Sequence, residues 1–477
     1  MKIIGREKEQ SALKQYFESG SPEFLVLYGR RRVGKTFLIR EYFDGKFDFY
    51  ATGLANGKKE EQLRAWNNAI KNSFGGTEES AQDWLGAFAL LREKIETRSK
   101  SNKSYKLKRK VIFIDEIPWM DTQKSGFLTA LEHFWNGWAS GRADIFLIIC
   151  GSATSWVVKN LLKNRGGLYN RVTRRMRLLP FTLRETEAYL KEKEIDFGRY
   201  RICEAYMIFG GVPYYYSLLG RGLSLPQNVD ALCFADDGIL RGEFEELYAA
   251  LFKNSEKYIK AVTALSSKAK GLTRNEIIDS TGMASGGGLT QVLEELELCG
   301  FIRSYPNFMM DENLCLYQLI DPFSLFHLCF IKGKRPKNPR FWTGNLESPS
   351  LSAWKGYAFE QVCLYHSEQI KQALGLTAIS TEMSSWRSRR SSPGAQIDLL
   401  IDRKDDIINL CEMKYSKSEY NVSSRAEAQL RNKIAVFESE TRTRKAVHLT
   451  MVTTYGITKN SHVGHIQSEV VLDDLFK

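Results

Sequence analysis

The chain has 477 residues, of which 43% are hydrophobic and 26% charged, with a formal net charge of +12. That length suits about three domains, and the apolar content supplies several cores, which excludes a disordered or low-complexity chain. The basic balance favours a polyanionic partner such as nucleic acid, and no apolar run approaches the ~18 residues that span a bilayer.

At the amino end, "PEFLVLYGRRRVGKTFLIREYF" sets an apolar strand before Gly29-x-x-x-x-Gly34-Lys35-Thr36 and an amphipathic helix after it. That context makes the pattern a P-loop, whose backbone N–H groups and helix dipole hold phosphate oxygens. The expected ATP-binding set is Gly29, Arg30, Arg31, Arg32, Val33, Gly34, Lys35, Thr36 and Phe37, with Lys35 on the β and γ phosphates and Thr36 on Mg²⁺. Next, "KVIFIDEIPWM" reads as a buried parallel strand ending in Asp115 and Glu116. Asp115 is expected to hold Mg²⁺ through water, and Glu116 to orient or deprotonate the attacking water. A further strand, "ADIFLIICGSATSW", ends in Ser152, either a γ-phosphate sensor or a helix cap. In "GGLYNRVTRRMRLLPF", Arg171, Arg174 and Arg175 are candidates for an arginine finger, in cis or from a neighbouring subunit. Arg171 is preferred by position; nucleic-acid contact or plain surface are the alternatives.

These segments, with "IIGREKEQSALKQYF" at the start and "GGVP" at residues 210–213, resemble the archaeal-type ATPases, relatives of the AAA+ and STAND NTPases. The resemblance covers residues 1–242. It implies that Gly5 and Arg6 pack beside the adenine, and that Gly211-Val212-Pro213 lies in a helical subdomain with Pro213 near the nucleotide.

From residue 255 the pattern becomes helix, turn, helix, Gly-rich turn, longer helix and strand, and resembles a winged helix-turn-helix. In the third helix Leu289, Val292, Leu293, Leu296 and Leu298 form an apolar stripe, and Gly300 stops it. Glu294, Glu295 and Glu297 on that helix argue against phosphate contact, so a structural role is favoured over DNA reading. "KGKRPKNPRFWTGNLESPS" reads as a basic linker.

In the tail, "GAQIDLLIDR" and "INLCEMKYS" form a hairpin turning at residues 404–406. Alternation puts Glu412 and Lys414 on one face, with Asp398 across from residues 410–412. Converging carboxylates suit Mg²⁺ or Mn²⁺, the Met413 carbonyl offers another oxygen, and Lys414 can orient or deprotonate a water. Asp398 followed by Glu412-x-Lys414 resembles the PD-(D/E)xK nuclease superfamily, although Gln396 and Ile397 stand where its proline would precede the aspartate. The resemblance adds Glu360 to the metal shell, places Gln429 as a helical glutamine, and leaves "SSWRSRRSSPG" to track a phosphate backbone.

The expected architecture is a multidomain α/β chain: an ATPase core at 1–185, a helical subdomain at 186–250, a winged helix at 251–331, a linker at 332–353 and a restriction-endonuclease-like domain at 354–477. The expected function is a cytoplasmic ATPase whose nucleotide state gates a metal-dependent phosphodiesterase, with DNA the preferred nucleic acid and a homo-oligomer a candidate assembly. The rivals are a nucleotide-switched binding or signalling protein that does not cut, and an oligomeric DNA motor. Eight cysteines without a C-x-x-C pair suit a reducing compartment, and no hydrophobic leader opens the sequence. The pair His462-x-x-His465 has no carboxylate near it in sequence and reads as loop histidines.

Overall fold

The computed structural model describes residues 2–76, 79–163, 167–168, 170–268, 271–305, 308, 315–332, 338–388 and 394–477. Most of the expected wing tip, part of the basic linker and part of the basic run before the hairpin lie outside these residues. The chain divides into two compact units, Met1–Pro180 and Phe181–Lys477.

In the first unit, β1 (Glu23–Tyr28), β2 (Phe49–Thr52), β3 (Lys110–Asp115), β4 (Ile145–Gly151) and β5 (Arg174–Arg177) make one sheet in the order β2-β3-β4-β1-β5. Every neighbouring pair is parallel. β1, β3 and β4 are near-continuous apolar runs because both faces are covered. Leu25 and Leu27 pack on one side with Leu38 and Ile39 of the helix Lys35–Tyr42. Phe24 and Val26 pack on the other with Trp66, Trp84 and Phe127. Because β4 inserts between β1 and β3, the ends of all three strands meet along one rim.

The second unit begins with helices, among them Leu183–Glu192, Arg199–Phe209 and Glu243–Leu251. The "GGVP" turn follows the second of these. A Cβ on Gly211 would lie 1.9 Å from the Phe181 carbonyl oxygen, so the chain passes there only as glycine. Helices Ser255–Ser266, Arg274–Thr281 and Gly287–Leu298 are closed by β6 (Leu272–Thr273), β7 (Ile302–Tyr305) and β8 (Leu316–Leu319), an antiparallel sheet in the order β6-β8-β7. Leu289, Val292, Leu293 and Leu296 are buried as the periodicity requires, whereas Leu298 stays partly exposed. Two of that helix's three acids have partners inside the protein: Glu295 accepts from the Tyr258 hydroxyl at 2.6 Å, and Glu297 from Ser304 N at 2.7 Å, while Glu294 is exposed.

The stretch expected as a linker is partly packed. The helix Phe341–Gly344 puts Trp342 in the core, and the buried Asp230 carboxylate accepts from Trp342 N at 2.7 Å and Thr343 N at 3.0 Å. Composition marked this stretch as polar punctuation, but one tryptophan with a carboxylate anchor outweighs it.

The tail sheet is β13-β12-β11-β10-β9, formed by β9 (Thr381–Arg387), β10 (Gln396–Arg403), β11 (Ile407–Lys414), β12 (Ala446–Thr453) and β13 (Ile466–Val471). β9, β10 and β11 pair antiparallel, and β11, β12 and β13 parallel. The helix Pro349–Tyr365 covers one face with Phe359, Val362 and Cys363 against Leu399, Cys411 and Met413. The helix Ser424–Thr441, the crossover from β11 to β12, covers the other with Leu430 and Phe437 against Leu400 and Leu410. One apolar core runs from Leu183 through the middle helices to Phe476. No helix among the described residues is long and apolar enough to cross a membrane.

Candidate functional site

At the rim of the first sheet, β1 ends and the chain turns through Gly29 at φ 145°. A Cβ there would lie 2.2 Å from the Leu178 carbonyl oxygen, so the end of β5 presses against bare backbone. Arg32 and Gly34 take left-handed conformations, φ 70° and 90°, and the helix Lys35–Tyr42 starts at once, its first turn without a side-chain cap. Uncapped N–H groups and the helix dipole make that end electropositive. Lys35 is buried, and its Nζ donates to the carbonyls of Gly29 and Arg30 at 2.9 Å each. Arg6 of the "GRE" segment is also buried and donates to the Val33 carbonyl at 3.3 Å. Arg30 and Val33 are buried, Arg31 and Arg32 are partly exposed, and Phe37 stands on the surface.

Thr36 Oγ1 donates to Asp115 Oδ2 at 2.7 Å, and Asp115 Oδ1 accepts from Glu116 N at 2.9 Å. A hydroxyl and a carboxylate side by side below the loop are the hard oxygen donors that Mg²⁺ takes. Glu116 sits at φ 46°, a strained backbone for a non-glycine residue. Its Oε2 accepts from Ser152 Oγ at 2.8 Å and Ser152 N at 3.2 Å. Ser152 thus holds Glu116, a contact made by the position of β4 between β1 and β3.

The finger candidates fare differently. Arg174 forks onto Glu23, with Nη2 to Oε1 at 2.9 Å and Nε to Oε2 at 3.1 Å. The parallel register pairs Leu25 with Arg174 and Tyr28 with Arg177. Arg171, which is exposed, therefore enters at the end of the sheet opposite the P-loop. Gly29 lies four residue steps beyond Leu25, about 13 Å along the strand, so the expectation of a finger in cis is corrected for Arg171 and Arg174. Of the run's arginines it is Arg177 that lies beside Tyr28, and only strand register, invisible in the sequence, distinguishes it. Pro213 opens the short helix Pro213–Ser217 in the second unit.

In the tail, Leu399 pairs with Cys411, which sets Asp398 across from Glu412. Gln396 Nε2 donates to Asp398 Oδ1 at 3.0 Å. Glu412 is buried, with Lys414 Nζ 2.7 Å from Oε1 and Lys433 Nζ 2.6 Å from Oε2. Burial pushes the Glu412 carboxyl up, but the charges of Lys433 and Lys414 outweigh it and hold the group below the usual carboxylate range. Burial pulls Lys414 down, yet Glu412 overcomes this and raises it above the usual ammonium value. Its Nζ, held on Glu412 Oε1, is placed beside the carboxylate pair of the hairpin.

Glu360 belongs to the helix on the other face of the sheet, and its charge is felt at Lys414. The oxygens of Asp398, Glu412, Glu360 and the Met413 carbonyl are the right kind of donor for Mg²⁺ or Mn²⁺. They do not fit one here: both Glu412 oxygens carry an ammonium group, and among the described residues no three acid, His or Cys side chains are grouped to hold a metal. Gln429 is exposed, and Lys433, one helical turn further on, is the residue that reaches the site. Spacing from Gln429 was the one sequence signal that could have found it. His462 and His465 do meet a carboxylate: their Nδ1 atoms lie 2.6 and 3.9 Å from Glu427, which also binds Arg431 at 2.8 Å.

The family model described as an ATPase domain predominantly from Archaea matches residues 3–219. The chain is 24% identical over 410 residues to the uncharacterized protein MJECL04 of Methanocaldococcus jannaschii, which covers 85% of each chain. It is 36% identical over 44 residues to the uncharacterized ATP-binding protein MJ0423 of the same organism, 9% of this chain and 75% of that one. Among solved structures, the Walker-type ATPase PABY2304 of Pyrococcus abyssi is 19% identical with a TM-score of 0.48, over 69% of this chain and 96% of that one. The ORC2 protein of Aeropyrum pernix is 14% identical with a TM-score of 0.43, over 69% and 93%. The family match and the loop geometry agree, and residues 3–219 are an ATPase domain of the archaeal type on a parallel-sheet P-loop core.

Proposed function

We propose that the chain binds and hydrolyses ATP and that its tail acts on the phosphodiester backbone of nucleic acid, DNA in the first instance, under control of the nucleotide state. The observation that carries the tail's part is the buried Glu412 held between Lys414 and Lys433, with Asp398 across from it on the neighbouring strand. The middle helices and small sheet are read as a winged helix, and the tail as a restriction-endonuclease-like domain, since its sheet pairs an antiparallel hairpin with a parallel crossover between flanking helices.

In the ATPase domain, Lys35 exchanges the Gly29 and Arg30 carbonyls for phosphate oxygens. Thr36 and Asp115 would hold a magnesium ion, which would neutralise phosphate charge. Glu116, once released by Ser152, orients the attacking water. An arginine finger at Arg171 then acts from a second copy of the chain. In the tail, Lys414 and Lys433 present ammonium groups to a phosphate and Asp398 supplies a carboxylate. Each oxygen of Glu412 is paired with one of these two lysines. That same pairing favours a second reading, a nucleotide-switched nucleic-acid binder that does not cut.

The test is incubation of the full chain with plasmid, linear DNA, single-stranded DNA and RNA, in Mg²⁺ or Mn²⁺, with and without ATP. Cutting that disappears in Glu412→Ala and depends on Lys35 supports the leading reading. Absence of cutting, with nucleic acid still stimulating ATP hydrolysis, moves the conclusion to the binder.

A further inference from the structure

A cation removed from water needs a counter-charge. Among the described residues, Arg303 of β7 has none in contact. Its Nε and Nη2 both donate to Gln318 Oε1 of β8, at 2.9 and 2.5 Å, and its guanidinium lies 4.8 Å from the centre of the Tyr305 ring. Gln318 is neutral, and among the described residues Arg303 makes no ion pair. It keeps some surface exposure. Burial depresses its pKa, opposed by the charges of Tyr305, Tyr357 and Asp398. Asp398, the hairpin carboxylate, thus lies within electrostatic reach.

The small sheet, and Phe308 just beyond β7, touch the elements on both sides of the tail hairpin. The Tyr357 hydroxyl donates to the Leu319 carbonyl at 3.2 Å, and Gln318 Nε2 donates to the Tyr357 hydroxyl at 3.5 Å. Tyr357 lies one helical turn before Glu360. On the other flank, Phe308 N donates to the Ser385 carbonyl at 2.9 Å, and the Phe308 and Phe437 rings are 5.5 Å apart. Phe437 lies one turn after Lys433.

We propose that Arg303 is the phosphate-binding residue that the middle segment contributes to the tail's site. A phosphodiester backbone along the hairpin supplies the missing counter-charge, and the planar guanidinium takes its oxygens while Gln318 fixes the orientation. The site is then a composite of two segments, and the small sheet serves the tail rather than reading DNA on its own. This rests on the tail being a phosphodiester site.

The experiment measures binding of a fluorescein-labelled DNA duplex to the full chain in EDTA by anisotropy, across a salt series, beside cleavage in Mg²⁺ and Mn²⁺. Arg303→Met should weaken binding about tenfold and flatten the plot of log affinity against log salt by about 0.9, the value of one phosphate contact. Arg303→Lys should keep that slope while losing part of the affinity, which a purely structural role would not produce. Unchanged slope and affinity in Arg303→Met, with Glu412→Ala dead for cutting, overturns the Arg303 assignment alone. Glu412→Ala cutting like the wild type, or a wild type that neither binds nor cuts, overturns the reading of the tail and this proposal with it. If Arg303→Met does not fold, Arg303→Lys with a lost slope also overturns it.

Discussion

Replacing Glu204 with glutamine removes one negative charge from the centre of the second unit. The Glu204 carboxylate accepts from Lys355 Nζ at 2.6 Å and from the Tyr415 hydroxyl at 3.0 Å, and it is paired with Arg201. Lys355 and Glu204 keep only 11% and 7% side-chain exposure, whereas Arg201 keeps 54%. The Arg201 pair is screened and worth about 0–1 kcal/mol. Stranding Lys355 without its partner costs about 3–5 kcal/mol. The lost Tyr415 bond overlaps that cost and is not added to it. The expected destabilisation is therefore about 3–5 kcal/mol, read from urea unfolding by tryptophan fluorescence, to which Trp342, Trp354 and Trp386 contribute in the second unit, with the two units fitted as separate transitions. Burial raises the Glu204 carboxyl, but hydrogen bonds and charge from Lys355 and Arg201 bring it below its ordinary value. Its contribution is thus complete above about pH 4.3, the ordinary glutamate value, and fades as pH falls through the depressed one. Wild type and variant should differ most near neutrality and converge in acid. A difference below about 1 kcal/mol at pH 7 would refute the reasoning, since that is the scale of an exposed pair. So would a Glu204→Leu, Lys355→Met double variant less stable than Glu204→Leu alone, because removing both charges should relieve the stranded lysine.

Gly29→Ala puts a methyl group 2.2 Å from the Leu178 carbonyl oxygen at φ 145°, and should abolish binding of a fluorescent ATP analogue while the second unit's unfolding stays unchanged. Ser152→Ala removes the 2.8 Å bond to Glu116 but keeps the backbone one, and should raise basal phosphate release about two- to tenfold by loosening the glutamate; a fall would return Ser152 to γ-phosphate sensing. Lys433→Met removes one of the two ammonium groups that hold Glu412 low, so the pH at which thermal stability is lost on acidification should move upward. An unchanged Tm–pH profile would mean Lys414 alone sets the state of Glu412.

The P-loop was legible because its chemistry is local: eight consecutive positions fix a turn, a charge and a helix start. Asp115 and Glu116 were equally plain, since an apolar run that ends in two acids is how a buried strand delivers carboxylates to the rim of a sheet. Long-range relations were not readable. The parallel register that carries Arg171 away from the loop depends on how β5 pairs with β1, and no window of sequence contains both. Lys433 reaches Glu412 from a crossover helix twenty-one positions later, and Glu427 meets His462 across thirty-five. The hairpin was foreseen through its turn and alternation, but the charge state of Glu412 needed the second lysine. The linker reading rested on composition, which does not weigh a single buried tryptophan.

The core that runs unbroken from Leu183 to Phe476 has a consequence for how this chain can be cut or recombined. A break at residues 353–354, where sequence suggests a boundary, would bare Phe359, Val362 and Cys363 on one fragment and Phe326 and Phe330 on the other. It would also leave Glu204 and Lys355 on different molecules. Fragments with such faces aggregate rather than fold. Limited proteolysis of the native protein should accordingly release pieces near residue 180 rather than near 354. The tail is not a cassette that can be exchanged between ATPases by splicing at its apparent edge; it travels with the helices that precede it.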